Sequence, residues 1–351
     1  MNVGYATPDG AGSVTRVARV LGSAWVWFVV AALLIAVAAQ PASAAFPGYT
    51  GPIAYSKSSS DEVGEGAVQT VGGLFARGPW RPRQPTRRLT LNPDDHSPAY
   101  SADGRSIVFV GDDGVSGAAI YVMKSDGTDR KLVTSAGAAP YLFPSGRAIV
   151  FVRRVEGHNH LFSIRLDGSG LRQLTSGPYN DSDPVVSPSG KRIAFGSDRD
   201  PDGRRDRSDV FSVRPDGSGL RVLVDGPRRD SEPDWSPDGH RIVFVVGSLR
   251  SSIAVMRVGG QRVRLLTNCR DIRCRSYVSP VFSPNGRHVA LLGLGTRTST
   301  ISVIRSDGSG VSTTIDSGGV EEEGFGSHVG APSWGPRLAG SIAPAPPEVR
   351  R

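Results

Sequence analysis

Cysteine is almost missing from this chain: 351 residues contain two, Cys269 and Cys274. With no third thiol and no histidine nearby, that pair is too small for a structural zinc site. In an exported protein, two cysteines this close in a loop read as a disulfide, which would stiffen the loop and constrain little else. Lysine is scarce too, with four among 41 basic residues, so arginine carries most of the positive charge behind the formal net of +8. Glycine, alanine and proline are abundant, and arginine excess beside them is the mark of GC-rich coding. Aromatic residues make up 7%, and no recognition helix or basic-aromatic RNA motif occurs, which argues against nucleic acid as a partner. There is no G-x-S-x-G nucleophile elbow and no phosphate-binding glycine loop. The sequence specifies no reaction.

What it does contain is a repeat. Ser231 to Val245 reads SEPDWSPDGHRIVFV: a short strand, a tight turn at Ser236-Pro237-Asp238-Gly239, and a second strand rich in Val, Ile and Phe. Proline pre-sets φ, aspartate bonds its own backbone, and glycine accepts positive φ. The pattern returns at 97–110, 139–152, 183–196 and 279–292, with turn glycines Gly104, Gly146, Gly190, Gly239 and Gly286 spaced 42, 44, 49 and 47 residues apart. A second turn keeps the same beat at Asp126-Gly127, Asp167-Gly168, Asp216-Gly217 and Asp307-Gly308, with Gly259-Gly260 in the remaining slot. Each unit therefore holds four short strands, the signature of a propeller blade.

The two ends supply the missing blade. Gly51-Pro52-Ile53-Ala54-Tyr55-Ser56 looks like a second strand without a first, and Ala331-Pro332-Ser333-Trp334 like a first strand with nothing after it. Strands near 331–334, 52–57, 72–76 and 86–90 would complete a sixth blade, with 58–71 as a polar loop. The expected fold is all-β: six four-stranded antiparallel blades in a ring closed by a split blade, which leaves only short protected edges.

The motif SxPxWSPDGxxIxF followed by DGSGLRxLT, as at Asp167 to Thr175, resembles the repeat of the TolB-type (WD40-like) six-bladed propeller family. The resemblance covers about residues 46–337. It implies the propeller fold, but members of this kind act as protein-binding scaffolds, as gates on peptidases and as frames for polysaccharide lyases. The family's small α/β domain is not expected ahead of the propeller, since Phe46 runs directly into blade sequence.

Residues 1–44 have the form of a secretory signal peptide: Arg16 and Arg19, the apolar run Ala24 to Ala39, then Ala42-Ser43-Ala44. Cleavage after Ala44 is the expectation, and an uncleaved anchor the alternative. Residues 45–337 form the propeller, and the Pro/Ala-rich stretch 338–351 reads as a disordered tail. The expected localisation is extracellular or in the cell envelope (periplasmic).

Candidate binding residues gather on one face. Loops after the second strands and between blades share that face, and Asp94, Asp95, His96, Asp181, Asp183, Asp230, Glu232 and His328 are expected around the mouth of the central funnel. A ring of carboxylates in a concave site favours a cation or basic partner; the bland reading has them capping local turns. Asp198, Asp200, Asp202 and Asp209 match the spacing of a calcium loop with Gly203 at its turn, though Pro201, the interleaved arginines and an aspartate in the closing position favour a salt-bridged hairpin tip. Ca2+ is accordingly the one cofactor considered. Arg77, Trp80, Arg81, Arg83, Arg87 and Arg88 could grip an anionic sugar or phosphate, or form a solvated loop. His158-Asn159-His160 reads as an exposed hairpin tip. Some lyases on this type of propeller hold a metal with axial histidines, and here only His96 and His328 would approach the axis. The reading favoured is an exported, non-catalytic, monomeric scaffold for an envelope protein or extracellular glycan. A polysaccharide-acting lyase or hydrolase is the alternative. Membrane contact is expected only through an uncleaved leader.

Overall fold

The computed structural model describes residues 50–62, 68–78, 85–115, 117–199, 208–224, 228–248, 250–260, 262–267, 276–294, 298–309, 313–319, 327–329 and 331–336, and every regular element among them is a strand. The described strands begin with β1 (Thr50–Glu62), β2 (Val68–Arg77) and β3 (Arg87–Arg88). Four-stranded sheets follow in sequence order. They are β4 (His96–Tyr100), β5 (Ser106–Asp112), β6 (Ala118–Lys124) and β7 (Lys131–Ser135); then β8 (Ala138–Leu142), β9 (Ala148–Val155), β10 (His158–Arg165) and β11 (Arg172–Gln173). Next come β12 (Asp181–Val186), β13 (Ile193–Ser197), β14 (Asp209–Val213) and β15 (Arg221–Val224), and then β16 (Asp230–Trp235), β17 (Arg241–Val246), β18 (Ser252–Arg257) and β19 (Val263–Leu265). The last whole sheet is β20 (Ser276–Phe282), β21 (His288–Leu294), β22 (Thr298–Arg305) and β23 (Thr313–Gly319). Finally β24 (Ser327–Val329) and β25 (Ser333–Pro336) both pair antiparallel with β1, with Ile53 opposite Trp334 and Lys57 opposite Val329. The result is a six-bladed β-propeller.

The blades are held together by side-chain parity. In β17, Ile242, Phe244 and Val246 enter one apolar cluster with β13 and β14, while Val243 and Val245 enter another with β21 and β22. Successive residues of a strand point to opposite faces, so a second strand flanked by blades on both sides must be apolar throughout. That is why IVFV-type runs recur. Six clusters fill the six seams. One of them joins Ile53, Tyr55 and Trp334 to Ala290, Ile301 and Ile315 across the chain ends.

Each inner turn is a small hydrogen-bonded unit. Ser236 Oγ accepts from the Arg241 N–H at 2.8 Å, Asp238 Oδ1 accepts from the His240 N–H at 2.9 Å, and Gly239 sits at φ 68°. Ser101 and Ser283 repeat the arrangement, accepting from Ser106 N and His288 N at 2.9 Å each. Ser236 is fully buried, so Ser236→Ala strands a donor and is expected to cost about 1–2 kcal/mol. The urea midpoint should fall, whereas the same change at the exposed Ser189 should leave it in place.

Two segments differ from the sequence reading. Residues 58–62 and 68–71 are not loop: β1 and β2 stay paired out to Glu62 opposite Val68, because neither stretch (SSSDE and VQTV) contains the proline or glycine that would break the ladder. His158-Asn159-His160 is not an exposed tip. Glu156 and Gly157, both at positive φ (50° and 87°), form a two-residue turn of the type favoured by hairpins. β10 therefore starts at His158, and His160 is buried.

Candidate functional site

The first strand of every whole blade carries the same irregularity. Ladder pairing skips two residues in β4, β8, β12, β16 and β20. The first of the two is a non-glycine residue at φ 46–51° (Ser97, Ala139, Asp183, Glu232, Ser279), and the second is proline. Left-handed backbone at a side-chain-bearing residue costs of order 1 kcal/mol or more, and it persists where the surroundings impose it. Here the bulge splits the acidic residues into two classes.

Asp95, Asp181 and Asp230, each two residues ahead of a bulge, are buried, and Asp95 and Asp181 are each paired with an arginine. Asp95 is fully buried and accepts both Arg130 contacts at 2.9 and 3.1 Å, while the Arg130 guanidinium lies 3.9 Å from the Tyr121 ring centre. Gly111 makes this possible, since a Cβ there would come within 2.5 Å of Asp95 Oδ1. Asp181 is likewise buried: it accepts from Arg199 at 2.5 and 3.1 Å and from Ser197 Oγ at 2.7 Å, with His160 Nδ1 3.8 Å away. Arg199 in turn lies over Tyr179 and Phe195. In the blade of β8–β11 no acid stands at this place, and Arg153 donates instead to the Ser135 and Ala136 carbonyls. Asp230 is buried at the start of β16, its N–H bonded to Ser208 O at 2.7 Å.

Two of the five bulge residues are acidic, and both border one cleft. Asp183 and Glu232, from neighbouring first strands, line a polar cleft of about 380 Å³ with Asn180, Ser182, Ser231 and Arg229. Glu232 Oε2 accepts from Ser279 N at 2.6 Å and from Ser279 Oγ at 3.1 Å, so it also spans to the next blade. Burial pushes the Asp183 carboxyl above the usual carboxylate range, and the Ser182 hydroxyl offsets part of this. Burial first and the Asp183 charge second do the same to Glu232, against the two Ser279 bonds. A cationic group entering between them relieves both effects.

The remaining candidates are dispersed. Asp94 and His96 are exposed, Asp94 N bonding Asn92 Oδ1 at 3.0 Å and His96 Nδ1 meeting Ser97 Oγ at 2.9 Å. His328 stands opposite Ser58 in the β24–β1 ladder. Asp198 holds Asn180 through both oxygens at 2.6 and 2.8 Å, and Asp209, at the start of β14, is buried opposite Ser197. Asp200, Asp202, Cys269, Cys274, Trp80, Arg81 and Arg83 lie outside the described residues, as do the leader and the tail. Arg77 donates to Ile315 O at 2.7 Å, Arg87 to Ser125 O and Arg88 to Gly72 O, so these three are tied to separate carbonyls. Among the described residues no three or more His, Cys, Asp or Glu side chains are placed to hold a metal.

The sequence reading did not single out Asp234, one residue beyond the bulge proline. It is buried and accepts the Phe282 N–H of the next blade at 2.7 Å. Ser333, at the matching place in the closing blade, accepts the Tyr100 N–H at 3.2 Å. The available signal was an aspartate directly after the strand's proline, where the other whole blades carry Ala99, Tyr141, Val185 and Val281.

The family profile described as the TolB beta propeller domain matches residues 97–338. An uncharacterized protein of Agrobacterium fabrum is 33% identical over 113 residues, 31% of this chain and 38% of that protein. Dipeptidyl-peptidase 5 of Porphyromonas endodontalis is 28% identical over 113 residues, which is 16% of its length. The chain thus spans well under half of either relative. Among solved structures, TolB from Acinetobacter baumannii superposes with a TM-score of 0.61 at 18% identity, covering 83% of this chain and 68% of that one. A TolB-assigned protein from Agrobacterium tumefaciens gives 0.58 at 19% identity, covering 82% and 100%. These structural likenesses establish the shared fold.

Proposed function

The chain belongs to the TolB β-propeller family, and from that premise we propose that it is an exported, non-catalytic scaffold of the cell envelope. Its partner, a protein or glycan, presents a basic group to the cleft between Asp183 and Glu232. The observation that carries this reading is the placement of those two carboxylates on imposed left-handed bulges of adjacent inner strands. The bulge recurs in every whole blade, but only at Asp183 and Glu232 does it carry a carboxylate, and these two stand on neighbouring blades. A rigid ring lowers the ordering cost of association, because little chain has to be fixed on binding.

The test is cross-linking in intact envelopes with the wild-type chain and the Asp183→Asn/Glu232→Gln variant, followed by identification of the captured partner. Retention by wild type and a loss of about ten-fold or more in the variant is the expected result, on the scale of a removed charge-assisted contact. Retention by both chains alike would place the interaction elsewhere. Release of unsaturated or reducing ends from an envelope glycan by the purified chain would establish an enzyme instead.

A further inference from the structure

At the opposite end of the same strands the charge reverses. Asp181 pairs with Ser197 and Ser197 with Asp209 at the cleft end of their blade, whereas Ile193 pairs with Val213 and Ser212 with Arg221 at its foot. Arg192, Arg214 and Arg221 stand at or next to those foot positions, one from each of the three outer strands. Arg172 joins them from the preceding blade, its Nη2 donating to Asp216 O at 2.6 Å. A Cβ built on Gly219 would lie 3.1 Å from Arg214 Nη1 and 3.6 Å from Arg192 Nη1, so two guanidiniums flank one exposed backbone point. Arg192 is fixed there by donation to Gly219 O at 2.6 Å. Burial, then the charges of Arg221 and Arg214, holds it below the ordinary arginine range.

Among the described residues none of the four arginines forms an ion pair. The nearby Asp216 is held below the usual carboxylate range first by its own turn, accepting from Ser218 Oγ at 2.7 Å and Ser218 N at 2.9 Å, and to a lesser degree by the charges of Arg214 and Arg172, so one carboxylate offsets part of a four-arginine cluster. Two leucines stand beside the arginines in sequence, Leu171 47% and Leu220 48% exposed. Clustered guanidiniums fit the paired oxygens of phosphate. Half-exposed apolar side chains set among them are the composition of a surface that rests on a bilayer interface.

We infer that the foot formed by Leu171, Arg172, Arg192, Arg214, Leu220 and Arg221 docks on an anionic phospholipid surface. The arginines hold headgroup phosphates, and the two leucines enter the interfacial layer. Such docking leaves the cleft of Asp183 and Glu232 facing away from the membrane. It is independent of whether the leader is cleaved, and of what the cleft binds.

The experiment is vesicle co-sedimentation of the whole chain, carrying whatever leader its host leaves on it, with phosphatidylcholine alone and with phosphatidylcholine containing phosphatidylglycerol. Arg214→Ser/Arg221→Ser and Leu171→Ser/Leu220→Ser are compared with wild type; Arg192 is left intact because it braces its turn. Wild type should bind the anionic vesicles in preference to the neutral ones, more weakly as salt rises. The arginine pair should lose roughly 25-fold, at about five-fold per guanidinium near an anionic surface. The leucine pair should lose affinity while keeping the salt dependence. Thermal melting confirms that both variants are folded. Equal binding to neutral and anionic vesicles overturns the inference, as does anionic binding untouched by the arginine pair. Arginine-dependent binding of dextran sulfate without vesicle binding also overturns it, in favour of a soluble polyanion.

Discussion

Trp334→Ala is expected to destabilise the protein by about 3–5 kcal/mol, the usual cost of emptying a large aromatic site in a packed core. Trp334 has no exposed surface, its Nε1 donates to Gly51 O at 3.2 Å, and it lies opposite Ile53 in the β25–β1 ladder. It belongs to the seam with Ala290, Ile301 and Ile315, where the two ends of the described chain meet. Truncation therefore acts twice: it opens a cavity, and it weakens the one blade whose strands come from both ends of the chain. Every other blade is continuous in sequence and closes through local hairpins. At this size, the melting temperature should fall by on the order of 5–10 °C. The comparison is Phe244→Ala, an equally buried ring within a continuous blade. If the closing seam secures the ring, Trp334→Ala broadens the melting transition and lowers the denaturant slope, while Phe244→Ala shifts the midpoint alone. A sharp transition of unchanged slope in both would show that the seam between the ends is no different from the others.

The propeller was legible because its determinants are local. Pro-Asp-Gly turns, alternating apolar runs and a repeat near 45 residues each act within a few residues of one another, so the pattern survives in one dimension. The acidic face was legible only as a set. Asp181 and Asp183 look alike in sequence and both border the cleft, yet Asp181 is fully buried and clamped by Arg199 while Asp183 stands on the bulge. The difference arises from the positive φ of Asp183 ahead of Pro184, where the residue before proline ordinarily reads as extended. The partners of the buried acids were likewise hidden, because Arg130 stands 35 residues from Asp95 and is positioned by stacking on Tyr121 and Phe109. Arginine excess suggested coding bias, and only the strand ends showed that part of it gathers on one foot. The turn at Glu156-Gly157 was missed for a smaller reason: glutamate rarely takes positive φ.

Asp234→Asn is expected to stabilise the protein at alkaline pH and to leave it unchanged in acid. Asp234 lies buried between blades, and burial pushes its carboxyl up to about 7, against the Phe282 and Trp235 backbone N–H groups, which favour the charged form. Tyr141 of β8 is the titratable group facing it; burial first and the Asp234 charge second keep that phenol well above its ordinary range and neutral. A carboxyl whose folded value exceeds its unfolded value near 3.9 holds its proton more tightly in the native state. Stability from this group is therefore intact below about pH 4, is lost progressively as pH rises from about 4 to 7, and stays lost above that. A shift of about three units corresponds to roughly 4 kcal/mol at most, with about 2–4 kcal/mol expected after relaxation. Asparagine keeps an oxygen for the Phe282 N–H and cannot ionise, so the variant should match wild type near pH 4 and exceed it increasingly up to pH 8. Chemical denaturation at four pH values across that range reads the difference directly. A variant less stable than wild type at pH 8 would show instead that the ionised carboxylate is what ties the two blades together.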